Sequence, residues 1–248
     1  MIKLPTNKLL VSDRLLISDI DNTLLGDRVA LKKLITYLQS PDLAFGIATG
    51  RSITSAKQIL WEWEVPAPDL WITSVGSEIH YGSNIQPDTN WRAHISYQWQ
   101  PELIRDAIAD LPGIKLQSSE GQSLHKVSYL VDPHKSPSIT EIQAHLRSHQ
   151  LYVHTIYSHQ EFLDILPLRA SKGDAVNYCT TEWGFAMEQV LVAGDSGNDE
   201  QMLMGSPKAV VVGNYSPELE KLRGQKDIYF AKGHYAEGIL EAIAHYNF

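Results

Sequence analysis

The chain of 248 residues contains a single cysteine, Cys179, and has no apolar run long enough to cross a bilayer. One cysteine cannot form an intramolecular disulfide, which excludes a disulfide-stabilised secreted scaffold and suits a reducing compartment. Residues 1–13 lack the apolar segment of a signal peptide. We therefore expect a cytoplasmic protein that does not associate with membranes.

Positive charge is also scarce. Lysine and arginine number 21 against 29 aspartates and glutamates, for a net charge of -8. This balance argues against general affinity for nucleic acid or anionic membranes. A phosphorylated substrate stays open, because a bound metal and a few local cations can reverse the sign of the charge inside a cleft.

Apolar, strand-like runs recur along the chain, and helix-period stretches separate several of them. The runs lie at residues 15–18, 44–48, 70–73, 189–193 and 209–212. Such alternation is typical of βαβ units, so we predict an α/β domain with a parallel sheet and helices on both faces.

The middle of the chain follows a different pattern. One helix is predicted to open at Pro101, and a second to begin with Ser136 as its N-cap and Pro137 as its first residue. Short strand candidates lie at residues 114–117, 125–131, 151–157 and 162–166. This order predicts a small α+β module, a cap, inserted into the larger domain. The predicted core domain is residues 1–85 and 167–248, and the cap is residues 86–166.

Two carboxylates follow the first strand candidate. Asp19 and Asp21 are two residues apart, so they can project together from its C-terminal end. Like charges so close repel one another, and a hard divalent cation with oxygen ligands offsets that repulsion most simply. A polar turn after a strand is the alternative, since Asp-X-Asp alone is a weak signal.

Three downstream segments add the remaining chemical groups. Thr49-Gly50-Arg51 and residues 194–199 (Gly-Asp-Ser-Gly-Asn-Asp) each follow a strand candidate, and Lys172 begins a predicted helix. Ligand sites in open α/β sheets form beyond the carboxyl ends of the strands. We therefore expect these segments to converge with Asp19.

The order Asp-X-Asp-X-Thr, Thr, Lys and Gly-Asp-X-X-X-Asp resembles the haloacid dehalogenase superfamily of phosphohydrolases. The resemblance implies a Rossmann-like core with a cap of the C2B type. It also implies that Asp19 attacks phosphorus to form an aspartyl-phosphate. Asp21 then protonates the leaving oxygen and later activates the hydrolytic water.

The resemblance further implies a Mg²⁺ site. Its ligands are the carboxylates of Asp19 and Asp195 and the backbone carbonyl of Asp21, while Asp199 orients a metal-bound water. The residues assigned to the phosphate are Thr49, Gly50, Lys172 and Asn198.

Several segments sharpen this resemblance to the sucrose-phosphate phosphatase branch of the superfamily. They are residues 16–23, 48–52, 75–79, 126–129, 166–173 and 234–240. The branch implies a sugar phosphate substrate, sucrose 6-phosphate, and a cap that closes over it. The candidate sugar contacts are Arg51, Ser52, Glu78, Lys126 and Asp164. A plain Glu78–Arg51 ion pair is the alternative for those two residues.

Other functions remain open from the sequence. One is a phosphatase of another glycosyl phosphate, such as mannosylfructose phosphate, glucosylglycerol phosphate or trehalose phosphate. A phosphomannomutase with a comparable cap is another. A third is a non-catalytic partner domain of a sucrose-phosphate synthase, which the complete set of motif residues disfavours. It is also open whether the chain is a catalytic phosphatase that associates with such a synthase.

Overall fold

A computed structural model of the protein describes residues 8–205 and 207–248. Residues 1–7, part of an N-terminal stretch to which the sequence assigns no role, lie outside that range. The predicted α/β class with an inserted α+β cap is confirmed. In the described part of the chain, none of the helices is both long and apolar enough to span a bilayer.

The large sheet has eight strands in the spatial order β12-β11-β10-β1-β2-β3-β4-β5. Its strands are β1 (Arg14–Ser18), β2 (Leu43–Ala48), β3 (Leu70–Thr73), β4 (Glu78–Tyr81), β5 (Gln86–Pro87), β10 (Val190–Gly194), β11 (Lys208–Val211) and β12 (Ile228–Phe230). The pairs from β12 to β3 are parallel, as predicted, while β4 and β5 add an antiparallel edge that the sequence analysis missed.

Alternating side chains of these strands fill an apolar layer on each face of the sheet. Leu15 and Ile17 of β1 lie in one cluster, and Leu16 between them lies in the other. The helices of this domain are α1 (Arg28–Leu38), α2 (Ile53–Glu62), α3 (Thr89–Ile95), α6 (Lys172–Glu182), α7 (Glu200–Met204) and α8 (Ala236–Tyr246). The sheet is therefore buried on both sides, and its carboxyl edge is left for the polar loops.

The cap is a second, four-stranded antiparallel sheet in the order β6-β7-β9-β8. Its elements are α4 (Pro101–Ile108), β6 (Ile114–Leu116), β7 (Val127–Val131), α5 (Ile139–Ser148), β8 (Val153–Ser158) and β9 (Phe162–Pro167). The helix, strand, strand, helix, strand, strand order is confirmed. Both helices pack on one face, where Ile104 and Ile142 meet Tyr129 and Leu163.

Two details of the predicted cap were wrong. The second helix begins at Ile139 with Ser138 as its N-cap, not at Ser136-Pro137. Ser138 has a glutamate three residues later, so it forms a capping box with Glu141, which Ser136 cannot do. The division of the chain at residue 86 also needs correction, because β5 pairs with β4, and Trp91 and Ile95 of α3 lie in a cluster of the large domain.

Candidate active site

The polar segments of the core domain converge at the carboxyl edge of three adjacent strands. Asp19 directly follows β1, Thr49 follows β2 and Asp195 follows β10. The Asp19 N–H donates to the Ala193 carbonyl at 2.9 Å, which extends the β1–β10 pairing to the site itself. The parallel pairing of β10, β1 and β2 is thus what brings these distant residues together.

Lys172 lies at the centre of the cluster and is fully buried. Its Nζ donates to Asp19 Oδ1 at 2.6 Å and to Asp199 Oδ1 at 2.7 Å. Ser171 caps α6 by accepting from the Asp174 N–H at 2.9 Å, which fixes Lys172 in the first turn. Burial lowers the pKa of Lys172, but Asp19 and Asp199 together raise it above its ordinary value. The ammonium therefore stays charged inside the protein.

Three buried carboxylates surround this one ammonium group. Oxygen atoms of Asp19, Asp195 and Asp199 lie within 4.8 Å of one another. Burial raises the pKa of Asp19 to about 7; Asp199 and Asp21 add to the rise and Lys172 opposes it. Burial also raises the pKa of Asp195 to about 8, with further increases from Asp19 and Asp199. The cluster thus has more negative charge than the protein itself compensates.

Short-range contacts hold the carboxylates in this arrangement. Asp199 Oδ2 accepts the backbone N–H groups of Asp195 at 3.0 Å and Ser196 at 3.1 Å. Thr23 Oγ1 donates to Asp195 Oδ1 at 2.8 Å. A Cβ atom on Gly194 would lie 2.5 Å from the Cβ of Asp199, so glycine is required where the loop folds back on its strand.

This donor set fits a hard divalent cation. Such ions prefer carboxylate oxygens, and Asp195 has no ion pair among the described residues. A cation here would replace the protons that burial and mutual repulsion favour on Asp19 and Asp195. The Asp21 side chain is not part of the cluster. The assignment of the Asp21 backbone carbonyl as a metal ligand stays a prediction.

Asp21 lies at the edge of the cleft, and its carboxylate is paired. Arg51 donates to it from Nε and from Nη2, each at 2.7 Å, and from Nη1 to Ser55 Oγ at 2.8 Å. The alternative of a Glu78–Arg51 ion pair is wrong. Glu78 instead accepts from Thr73 Oγ1 at 3.3 Å.

The residues predicted to bind phosphate surround the carboxyl end of β2. Thr49 is buried, and its Oγ1 accepts the Arg51 N–H at 3.2 Å, which leaves the hydroxyl proton for another acceptor. Gly50 and Asn198 both line the cleft. The position of a Cβ on Gly50 would lie 3.8 Å from Asn198 Nδ2, so the two residues form adjoining parts of the wall.

A cleft with a volume of about 810 Å³ separates these groups from the cap. Lys126 Nζ reaches across from the cap to the Gly50 carbonyl at 3.3 Å, and it lies 3.7 Å from Asp164 Oδ1. Ser52, the N-cap of α2, lines the core side. Of the five predicted sugar contacts, Arg51, Ser52, Lys126 and Asp164 face the cleft, whereas Glu78 is not among the lining residues.

Other groups at the site were missed by sequence reasoning. Ser128 donates to Asp164 Oδ1 and so orients that carboxylate. Gln117, His159 and Phe162 also line the cleft. His159 lies in the turn between β8 and β9, where no periodic pattern marks which side chains point inward. Gln117 directly follows β6, and Phe162 is the first residue of β9.

The profile of the sucrose-6F-phosphate phosphohydrolase family matches residues 12–247. Sucrose-phosphatase 1 of Nicotiana tabacum is 33% identical over 252 residues, which cover 94% of this chain and 59% of that protein. This chain therefore spans less than two thirds of the plant relative's length. Mannosylfructose-phosphate phosphatase of Agrobacterium fabrum (strain C58) is 29% identical over 241 residues, covering 94% of this chain and 96% of that one.

The X-ray structure of the sucrose-phosphatase from Synechocystis sp. PCC6803, in complex with sucrose and phosphate, has the same fold. It matches with a TM-score of 0.91 and 36% identity over 96% of this chain and 99% of that chain. The predicted haloacid dehalogenase fold with its C2B-type cap is confirmed. By its profile match and its architecture, this chain belongs to the sucrose-6F-phosphate phosphohydrolase family.

Proposed function

We propose that this protein is a Mg²⁺-dependent phosphatase that hydrolyses sucrose 6-phosphate to sucrose and inorganic phosphate. The observation that carries the proposal is the contact of Lys172 with Asp19 and Asp199 in a cluster of buried carboxylates at the base of a cleft, which supports Asp19 as the nucleophile. The relative whose structure contains sucrose and phosphate, at 36% identity, supports the substrate.

Asp19 is the proposed nucleophile. Its carboxylate attacks phosphorus, the bond to the sugar oxygen breaks, and an aspartyl-phosphate forms, which divides one slow displacement into two faster ones. Lys172 balances the negative charge of Asp19 and of the phosphoryl oxygens. Thr49, Gly50 and Asn198 bind the same phosphoryl oxygens. Water then attacks the same phosphorus atom, which releases phosphate and regenerates the Asp19 carboxylate.

Asp21 is the proposed general acid and base. It donates a proton to the departing sugar oxygen in the first step and removes a proton from water in the second. Mg²⁺, held by Asp19, Asp195 and the Asp21 carbonyl with Asp199 orienting a ligand water, would supply Lewis-acid stabilisation of the phosphoryl oxygens. The fit of the acidic cluster to a hard cation supports this assignment.

The cap residues Lys126 and Asp164 are proposed to bind sugar hydroxyls, together with Arg51 and Ser52 of the core. Lys126 donates hydrogen bonds and Asp164 accepts them, so the pair suits a polyhydroxylated ligand. All four line the same cleft. Glu78 is not part of this set, because it is not among the residues that line the cleft and it accepts from Thr73 Oγ1.

Mannosylfructose phosphate is the second candidate substrate, favoured by the 29% identical relative that acts on it by name and spans nearly the same length. Measurement of kcat/KM with Mg²⁺ for sucrose 6-phosphate, mannosylfructose phosphate, glucosylglycerol phosphate and trehalose 6-phosphate tests the choice. Incubation with a hexose 1-phosphate distinguishes a mutase, which would form an isomerised sugar phosphate, from a phosphatase, which would release phosphate. A higher kcat/KM for another of these glycosyl phosphates would support the phosphatase mechanism but refute sucrose 6-phosphate as the substrate.

We further propose a cytoplasmic location and association with the sucrose-phosphate synthase that supplies the substrate. The free, buried thiol of Cys179 is consistent with a reducing compartment. Co-elution of the two purified enzymes in gel filtration, absent when either is replaced by bovine albumin, would support association.

A further inference from the structure

Glu218 makes a contact that none of the catalytic motifs includes. It lies in the 3-10 helix Pro217–Leu222, after β11. Its Oε1 accepts the backbone N–H of Gly197 at 2.5 Å and that of His159 at 3.5 Å. The first amide belongs to the core domain and the second to the cap, so one carboxylate oxygen joins the two.

On the core side, Glu218 supports the loop that carries two site residues. Gly197 begins the 3-10 turn Gly197–Asp199, which contains Asn198 and Asp199. The neighbouring Ser216 N–H donates to the Asp195 carbonyl at 2.7 Å. The segment from Ser216 to Glu218 therefore holds the loop of the acidic cluster at two successive points.

On the cap side, the contact is at the tip of the β8–β9 hairpin. His159 and Gln160 form this tip with φ values of 54° and 55°, the left-handed conformation of a tight hairpin turn. Ser158, His159 and Phe162 line the cleft. The position of the tip therefore determines part of the wall that faces a bound substrate.

The backbone approach at this contact is close. A Cβ atom on Gly197 would lie 2.8 Å from the Tyr157 carbonyl oxygen and 2.8 Å from Glu218 Oε1. A side chain at Gly197 would thus push apart the hairpin, the loop and Glu218. The three elements fit together only with a glycine between them.

We propose that Glu218 is a positioning residue that couples the cap hairpin to the loop of Asn198 and Asp199, an inference that rests on the proposed function. With the cap in the described position, the carboxylate accepts from both domains. When the cap withdraws, Glu218 loses its contact with His159 and keeps only its contact with Gly197. Glu218 therefore favours the cap position in which the hairpin closes one side of the cleft.

The test compares Glu218→Ala and Glu218→Gln with a matched control, Glu220→Ala. Glu220 lies in the same 3-10 helix but pairs with Arg223 on the surface. Each variant is assayed with sucrose 6-phosphate and with p-nitrophenyl phosphate, which has no sugar to contact the cap. Hydrogen exchange in residues 155–165 is measured in parallel, as a readout that needs no activity.

For Glu218→Ala we expect kcat/KM to fall at least about tenfold more on sucrose 6-phosphate than on p-nitrophenyl phosphate. Loss of the Gly197 contact disturbs the loop of Asn198 and Asp199 with either substrate, whereas only the sugar needs a correctly placed hairpin. Glu218→Gln should fall between this variant and wild type, and Glu220→Ala should match wild type. The hairpin amides should exchange faster in Glu218→Ala.

Equal losses on both substrates, no loss on either, or unchanged exchange of the hairpin would overturn the coupling. A wild-type protein inactive on both substrates would contradict the proposed function instead. In that case the hydrogen-exchange measurement would still show whether Glu218 contacts and stabilises the hairpin.

Discussion

The guanidinium of Arg51 holds both oxygens of the Asp21 carboxylate, with two hydrogen bonds of 2.7 Å. The pair lies at the rim of the cleft, with the two side chains 31% and 48% exposed. A carboxylate held in this way is oriented but cannot donate a proton to a leaving group. The proposed role of Asp21 as general acid therefore requires that Arg51 release it when the substrate enters.

Arg51→Gln removes both the orientation of Asp21 and a cation beside the substrate. We expect kcat/KM for the sugar phosphate to fall by about 10²-fold, the typical effect of a misplaced catalytic group. Arg51→Lys, which keeps the charge but not the two-pronged geometry, should lose about tenfold. Lys57→Gln, an exposed change on the helix α2 that follows Arg51, serves as control. Wild-type kcat/KM in Arg51→Gln would refute this role.

The acidic cluster predicts a pH dependence of metal binding. The pKa values of Asp19 and Asp195 are raised to about 7 and about 8, so at pH 6 both groups hold protons that Mg²⁺ must displace. At pH 8.5 both are largely ionised. The Mg²⁺ dissociation constant should thus weaken on acidification, by about tenfold per pH unit for each proton displaced.

Isothermal titration of the metal-free protein with Mg²⁺ at pH 6.0, 7.0 and 8.5 measures this dependence. Repeating each titration in buffers of different ionisation enthalpy counts the protons released. Asp195→Asn is the control, since it removes one titrating ligand and should bind weakly at every pH. A dissociation constant that does not change between pH 6 and 8.5 would contradict the assignment.

Lys172 is predicted to stabilise the fold as well as the reaction. Lys172→Met leaves the buried carboxylates of Asp19 and Asp199 without their cation, which should lower the free energy of unfolding by about 3–5 kcal/mol. The loss should be smaller at pH 6 than at pH 8, because the raised pKa values of Asp19 and Asp195 let these two groups take up protons, which relieves the repulsion in the cluster.

The control for this change is Lys221→Gln, which breaks a surface pair with Glu200 at 2.8 Å. Exposed pairs contribute about 1 kcal/mol or less. Urea unfolding of the metal-free proteins compares the two. If Lys172→Met costs no more than the surface change, the buried ammonium does not compensate the cluster.

Lys126 is predicted to act on the sugar and not on phosphoryl transfer. Lys126→Met should lower kcat/KM for sucrose 6-phosphate by about 10–100-fold, the loss expected for one hydrogen bond from a charged donor. Turnover of p-nitrophenyl phosphate should change little. Lys115→Met, on a cap strand but away from the cleft lining, is the matched control. Equal losses on both substrates would place Lys126 in the phosphoryl-transfer machinery instead.

The core of the site was predictable from sequence because its residues follow strands. Apolar runs of β1, β2 and β10 are unambiguous, and the carboxyl ends of parallel neighbours share one edge. The convergence of Asp19, Thr49 and Asp195 at this edge is therefore predictable from the sequence. Lys172 was identified from the order of the motifs, and its burial between two carboxylates was not foreseen.

The cap and its contacts were predictable only in outline. Lys126 and Asp164 were predicted as sugar contacts, and both line the cleft, since the strict period of two in strands directs alternate side chains to one face. The pairing partner of Arg51 was not predictable, because the sequence does not determine which carboxylate a long, flexible side chain contacts in the fold. Glu218 has no local signal at all, since its contacts depend on how the two domains pack.

The proposed phosphatase activity is best tested by measuring phosphate release from sucrose 6-phosphate in the presence of Mg²⁺, with wild type and with Asp19→Asn. Wild type should show Mg²⁺-dependent turnover of sucrose 6-phosphate that exceeds its turnover of the other glycosyl phosphates. Asp19→Asn should remain folded, judged by circular dichroism, and should release no phosphate. Substantial phosphate release by folded Asp19→Asn, or none by wild type, would refute Asp19 as the nucleophile of a sucrose 6-phosphate phosphatase.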